Sequence, residues 1–228
     1  MEPGLRLAQD LASPWHVRRN RRDDGNLAAI MAAALRPDAN CIDVGANTGD
    51  LLEAMVRLAP EGRHIAYEPL PELARPLALR FPGVDVRNAA LADEPGEATF
   101  YRNVASDSRS GLRPRGDSEP IRVRLEVLDR SLPEDFAPDF IKIDVEGAEL
   151  AVLRGAIETL RRHRPLVALE HGSAALAFGT THRMVHDLLA GEVGLRIFDM
   201  DGVGPLSADE FDRVADPPGR RWNFIACP

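Results

Sequence analysis

The sequence predicts an α/β fold with a mostly parallel, seven-stranded sheet carrying helices on both faces. Three observations carry this expectation. Short, β-branched apolar runs alternate with helical patterns along most of the 228 residues, as the crossovers of a parallel sheet require. Acids and amides recur at the carboxyl ends of those runs, at Asp43, Glu68, Asn88, Asp144 and Glu170. Sheets of this kind bind ligands beyond the carboxyl ends of their strands, where strand order reverses. Finally, no internal repeat or Gly/Ser-rich linker divides the chain, and its length suffices for one well-buried core.

The elements follow in order. Residues 1–39 form an N-terminal helical segment, a candidate cap over a substrate, ahead of a main domain at 40–228. Within that segment the start is arginine-rich, and NLAAIMAAALRP (26–37) is a strong helix former stopped by Pro37. CIDV (41–44) is too short and β-branched for a helix and reads as a buried strand. TGDLLEAMVRLA (48–59) sets Leu51, Leu52, Met55, Val56 and Ala59 at helical spacing. RHIAYE (63–68) is a second strand, PELARPLALRF (71–81) a helix that Pro76 bends, and VDVRNA (84–89) a third strand. EATFYRN (97–103) and IRVRLEV (121–127) break the alternation and read as antiparallel partners. The long polar loop between them, 103–120, is a candidate lid. FIKID (140–144), a helix from Ala148 to His163, PLVALE (165–170), a helix near 180–190, LRIFDM (195–200) and WNFIAC (222–227) complete the pattern.

Composition excludes several functions. A net charge of −8 opposes any general affinity for nucleic acid, whose phosphates need a basic surface. VRRNRR (17–22) is followed at once by Asp23 and Asp24 and reads as a solvated helix face. No apolar stretch reaches ~18 residues and no signal-type apolar core is present, so a cytoplasmic protein is expected. Cys41 and Cys227 are too few for a disulfide framework or a thiolate zinc site and are expected to pack as small hydrophobes. His182 and His186 have zinc-pair spacing but lack the glutamate of HExxH, and a surface pair is expected.

The stretch DVGANTG (43–49) holds the main clue. It lacks the Gly-Lys-Ser/Thr of a phosphate loop. It resembles the dinucleotide fingerprint, except that Asn47 replaces the glycine that would let pyrophosphate approach. Glu68 then ends the second strand at about the 20-residue offset of an acid that accepts ribose hydroxyls. An adenosine ligand without a pyrophosphate tail fits, and S-adenosylmethionine is such a ligand. Asp43 is expected to help hold its ammonium, and backbone N–H groups at the following helix start its carboxylate.

DVGANTG, YEPLPE, FIKIDVEGAELAVLRGA and RPLVALE, in this order and spacing, resemble the FkbM-type methyltransferases from about Asn40 to His171. The resemblance implies a Rossmann-like, class I methyltransferase fold that uses S-adenosylmethionine and releases S-adenosylhomocysteine. It implies methylation of a hydroxyl on a natural product, sugar or related small molecule. On these motifs the expected cofactor contacts are Asp43, Gly45, Asn47, Gly49, Glu68, Pro69 and Asp144, joined by Asn88 and Ala90 at and just after the end of the third strand.

Methyl transfer needs a nucleophile aligned with an activated methyl group and gains from a placed base. Asp144, Glu170 and His171 are the catalytic candidates, with His171 read as the base and Glu170 as an orienting contact. Lys142, the only lysine of the chain, should share a strand face with Asp144. Glu146 and Glu149 sit where a helix start favours acids in any case. No metal site is expected from the spacing, and magnesium held by Asp144, Glu170 and His171 is the rival reading. Two other functions compete: a nicotinamide-dependent oxidoreductase on the same architecture, and a non-catalytic binding protein.

Overall fold

A computed structural model describes residues 14–103, 110–114, 117–216 and 219–228. Its strands are β1 (Cys41–Val44), β2 (His64–Tyr67), β3 (Val84–Arg87), β4 (Ala90–Leu91), β5 (Gly96–Asn103), β6 (Ser118–Glu126), β7 (Phe140–Ile143), β8 (Leu166–Glu170), β9 (Arg196–Asp199) and β10 (Asn223–Cys227). Seven form one sheet in the order β3-β2-β1-β7-β8-β10-β9. Its pairs are parallel except those of β10, which runs antiparallel to β8 and β9. The chain steps outward from β1 to β3 and then returns to the other side of β1 as β7. Strand order therefore reverses between β1 and β7, the place where such sheets open a crevice. The fold is the expected Rossmann-like α/β sheet.

Side chains alternate between faces along each strand. Ile42, Val44, Ile141, Ile143, Val167 and Leu169 enter one buried cluster, and Cys41, Ala66, Phe140 and Ala168 enter another. Asp43 and Lys142 have the parity of the second set. Asp43 and Lys142 thus project from a sheet face made largely of apolar side chains, which also carries His64 and, at the end of β8, Glu170. Burial pushes the Cys41 thiol up to about 12, consistent with a packing role.

The two N-terminal helical patterns merge into one helix, Trp15–Ala34. Arg18, Arg21 and Arg22 are exposed, as a solvated face requires, but Arg19 departs from that expectation. Arg19 is buried and pairs with Asp23 and with Asp201, the latter at 2.6 Å, while Arg22 reaches Asp201 at 2.8 Å. These ion pairs pin the helix to the turn after β9. The helix expected from Ala148 to His163 is two, Glu149–Arg154 and Ile157–His163. The break falls at Gly155, whose missing side chain lets the Ala92 carbonyl approach. Near 180–190, helix His182–His186 runs on into a π-helical segment, Asp187–Val193. No helix among the described residues is long and apolar enough to cross a membrane.

β5 and β6 pair antiparallel as expected, and β4 joins them to make a second, three-stranded sheet. Phe100 and Val123 pack there with Leu70, tying this sheet to the segment after β2. The candidate lid at 103–120 lies partly outside the described residues. Gly111 bridges back to Tyr101, and the Ser110 Oγ accepts from the Asn103 N–H.

Candidate active site

A cleft of ≈490 Å³ opens at the carboxyl ends of β1, β2, β7 and β8, well within the size of small-molecule sites. Asp43, Gly45, Asn47, Glu68, Pro69, Ala90, Asp144 and Glu170 all line it. Three other expected site residues do not, as described below.

The glycine turn is shaped by two close approaches. Gly45 has φ +80°, and a Cβ there would lie 2.0 Å from the Asp144 carbonyl oxygen, so β1 and β7 can close only around glycine. Gly49, φ +83°, caps helix Asp50–Leu58, and a Cβ there would meet the Leu77 and Phe81 side chains. Gly49 therefore serves helix packing and lies outside the cleft lining. Asn47 takes the left-handed φ of +48°, a conformation asparagine tolerates better than most residues.

The turn spends its own amides. Gly45 and Ala46 donate to the Tyr67 carbonyl, Gly49 donates to the Ala46 carbonyl, and Asn47 donates to Glu68 Oε2 at 2.8 Å. Those four N–H groups are thus engaged inside the protein; the helix-start amides expected to face a carboxylate, from Asp50 on, are not among them.

Glu68 is 4% exposed, yet both its oxygens are addressed: Oε2 by Asn47 and Oε1 by the Leu70 N–H at 2.9 Å. Each retains a lone pair for a ligand donor. Burial pushes this carboxyl up to about 7, with Asp43 adding to the rise and the two N–H groups and Lys142 opposing it. Asn88, expected in the cleft, is exposed and instead donates to the Glu68 and Pro69 carbonyls. It braces the turn that carries Glu68.

Lys142 occupies the centre. Its Nζ donates to the Gly45 carbonyl at 2.8 Å and lies 3.5 Å from both Asp43 Oδ1 and Asp144 Oδ2. Burial works against its charge, but Asp144, Asp43 and Glu170 outweigh that and raise its pKa above the ordinary value. Asp43 is fully buried and neither oxygen has a hydrogen-bond partner. Burial, with Asp144 beside it, raises its pKa against the pull of Lys142. Glu170 is half-buried; desolvation first, then the charges of Asp144, Glu146 and Glu149, push it up to about 9 against the pull of Lys142.

His171, expected as the base, does not face the cleft. It is fully buried, lies outside the cleft lining, and its Nε2 is 2.9 Å from His182 Nδ1. Its ring also stacks on Phe211. The backbone explains the displacement: the His171 N–H donates to the Trp222 carbonyl, extending the β8–β10 pairing and turning the side chain into the core. His182 is likewise buried, and the His186 Nε2 lies 3.2 Å from the Leu206 carbonyl, so the expected surface pair is a packed one. Among the described residues no three His, Cys, Asp or Glu side chains converge to hold a metal ion.

Sequence reasoning missed the lining from the N-terminal helix, where Asn20, Asp24 and Leu27 face the cleft. Their spacing of four and three residues on one helix face was the available signal. It also missed the apolar wall of Leu73, Phe100 and Leu112.

The FkbM methyltransferase domain matches residues 43–197. The methyltransferase sdnD of Sordaria araneosa is 30% identical over 155 residues, covering 51% of this chain and 60% of its own length. The AMB antimetabolite synthetase AmbE of Pseudomonas aeruginosa is 29% identical over 164 residues, covering 53% of this chain and 8% of its own. This chain thus spans less than two thirds of either relative. The crystal structure of the methyltransferase FkbM from Methylobacillus flagellatus KT superimposes with a TM-score of 0.51 at 17% identity, over 86% of this chain and 45% of that one. It is similar in fold.

Proposed function

Because the chain belongs to the FkbM methyltransferase family, we propose that it transfers a methyl group from S-adenosylmethionine to a hydroxyl of a small molecule. The observation that carries this reading is Glu68: a buried carboxylate at the end of β2, preset by two backbone N–H groups and turned to the cleft. Its remaining lone pairs suit the two ribose hydroxyls. Asp43, buried with both oxygens lacking a hydrogen-bond donor, suits an ammonium or a water that relays to one. With Gly45, Ala46 and Asn47 amides already engaged, the turn has little to offer a pyrophosphate, which favours the sulfonium nucleoside over a dinucleotide. Pro69, Ala90 and the apolar wall flank the space left for the adenine.

The cofactor supplies an activated methyl group, so the chain's share is alignment and proton management. The oxygen–carbon bond forms as the carbon–sulfur bond breaks, and the acceptor hydroxyl must lose its proton. Asp144 is our candidate acceptor of that proton: it lines the cleft, is partly exposed and is anchored by Lys142. Glu170, which holds a proton near neutrality, is better suited to donating a hydrogen bond to the acceptor. Helix Trp15–Ala34, through Asn20, Asp24 and Leu27, forms the substrate-side wall and is proposed as a cap.

Isothermal titration with S-adenosylhomocysteine and, separately, NADH tests the reading. Binding of the first and not the second is expected. Binding of NADH alone would move the chain to the oxidoreductases.

A further inference from the structure

The turn that carries Asp144 is held at both ends. At its start the Asp144 N–H donates to the Val44 carbonyl at 3.1 Å. At its far end the Gly147 N–H donates to Glu149 Oε1 at 2.7 Å. Between these anchors Val145 and Glu146 line the cleft beside Asp144. Glu146 takes a left-handed φ of +56°, a conformation that a residue with a side chain keeps only where its surroundings enforce it. Glu149 is therefore placed to decide the shape of the cleft mouth, although it is 2% exposed.

Glu149 has a second oxygen to account for. Its Oε2 is buried without a hydrogen-bond partner, and so is the Nδ1 of His171, 3.7 Å away. An acceptor and a nitrogen able to carry a proton thus face each other across a gap just too long for a bond. Leaving both unmade in the interior is costly, and a small shift of either side chain closes the gap. The chain's only lysine cannot serve instead, since Lys142 is divided among the Gly45 carbonyl, Asp43 and Asp144. The histidine ring is fixed from its other sides. Its Nε2 lies 2.9 Å from His182 Nδ1, and its face stacks on Phe211. Turning the ring over would present carbon atoms to Glu149 and to His182, so one orientation alone uses both nitrogens.

We propose that His171 is a positioning residue: with a proton on Nδ1 it holds Glu149, which holds the Gly147 N–H and so the turn that sets Asp144 in the cleft. Its Nε2 then accepts from the His182 Nδ1–H. The histidine touches no ligand and reaches the reaction only through this turn. Its importance for catalysis rests on the methyl-transfer reading, in which Asp144 receives the proton.

The test is nuclear magnetic resonance on the whole chain, isotopically labelled in its histidine, glycine and lysine nitrogens. Lysine labelling gives a single side-chain resonance, because Lys142 is the only lysine. With its Nζ 3.5 Å from Asp144 Oδ2, that resonance reports where Asp144 stands. The parent should show His171 protonated on Nδ1. In His171→Phe the Gly147 amide should exchange with solvent about tenfold faster, and the Lys142 resonance should move. His171→Asn loses the same contact with His182 but returns an amide N–H near the place of Nδ1. It should keep Gly147 exchange within about threefold of the parent, with the Lys142 resonance in place. A histidine that only fills the core would leave these two variants alike.

Glu149→Gln keeps the test open if His171→Phe fails to fold. The Gly147 N–H can only donate, so the new amide gives it the oxygen and turns its NH2 to His171, and the proton should leave Nδ1 for Nε2. A bare Nδ1 in the parent, a proton that stays on Nδ1 in Glu149→Gln, or Phe and Asn variants alike in both readouts would overturn the proposal. These spectra need no ligand. Failure of the parent to bind S-adenosylhomocysteine in calorimetry would fall on the methyl-transfer reading, and the link from His171 to Glu149 would still be decided by its own signals.

Discussion

Lys142 and Asp43 are register partners across the β1–β7 pair, and the lysine Nζ lies 3.5 Å from the aspartate Oδ1. They meet where strand order reverses, on the sheet face that carries Cys41, Ala66, Phe140 and Ala168. One cation there serves the glycine turn, Asp43 and Asp144 together, so the proposed cofactor side and the proposed reaction side of the cleft share a counter-ion.

Removing that counter-ion should be expensive. Lys142→Met leaves the buried Asp43 without a cation, and breaking such a pair costs about 3–5 kcal/mol. Urea denaturation should show that loss. Adding Asp43→Asn to Lys142→Met should recover part of it, since no buried charge is then stranded.

Glu68→Ala removes the carboxylate assigned to the ribose. The expected loss is about 1.5–3 kcal/mol of S-adenosylhomocysteine binding, roughly 10–150-fold in affinity. Unchanged affinity by calorimetry, in a variant that folds, would place the sugar elsewhere.

The same residue predicts a pH dependence. Its ordinary pKa is 4.5 and burial lifts it to about 7 in the folded chain. The ligand-free fold therefore binds more protons than the unfolded chain between those values, and this group's contribution to stability falls as pH rises through that window. Ribose hydroxyls donate to the charged form, so cofactor affinity should be full above about pH 8 and decline below about 7, approaching tenfold per pH unit. In Glu68→Gln that slope should disappear.

Gly45 and Gly49 should fail differently. Gly45→Ala forces a methyl against the Asp144 carbonyl, so a folded variant should lose roughly tenfold or more in S-adenosylhomocysteine affinity, in addition to strain of about 1–3 kcal/mol. Gly49→Ala presses on Leu77 and Phe81. It should lower the Tm while the affinity of the folded fraction stays within about threefold. Thermal melts and calorimetry on the same preparations separate the two.

His171→Asn tests the reassignment of that histidine. Loss of its contact with His182 should destabilise the fold by about 1–3 kcal/mol, while the affinity for S-adenosylhomocysteine and its pH dependence are retained. Loss of binding without loss of stability would return His171 to the site.

The sheet, the antiparallel excursion and most of the cleft were legible in the sequence, because short β-branched runs end in acids that have no reason to recur there in a purely structural role. Glu68 could be placed by its offset from the glycine turn. The fate of His171 could not, since one backbone hydrogen bond to Trp222 turns its side chain from the cleft into the core. Arg19 was misread for a related reason: its partner Asp201 lies far along the chain, and nothing local announces a long-range ion pair. Gly49 and Asn88 were assigned to the ligand although both support the residues that face it. Sequence motifs mark contact sets without separating the side chains that touch a ligand from those that steady them.

The lone lysine has a practical consequence. Within these residues the only side-chain primary amine is a shielded one at the bottom of the cleft. Amine-directed dyes, surface-coupling chemistries, cross-linkers and ubiquitin-type tags find no exposed lysine elsewhere in this sequence. A lysine-selective reagent that does react here reports on access to the cleft, and filling the cleft should slow it.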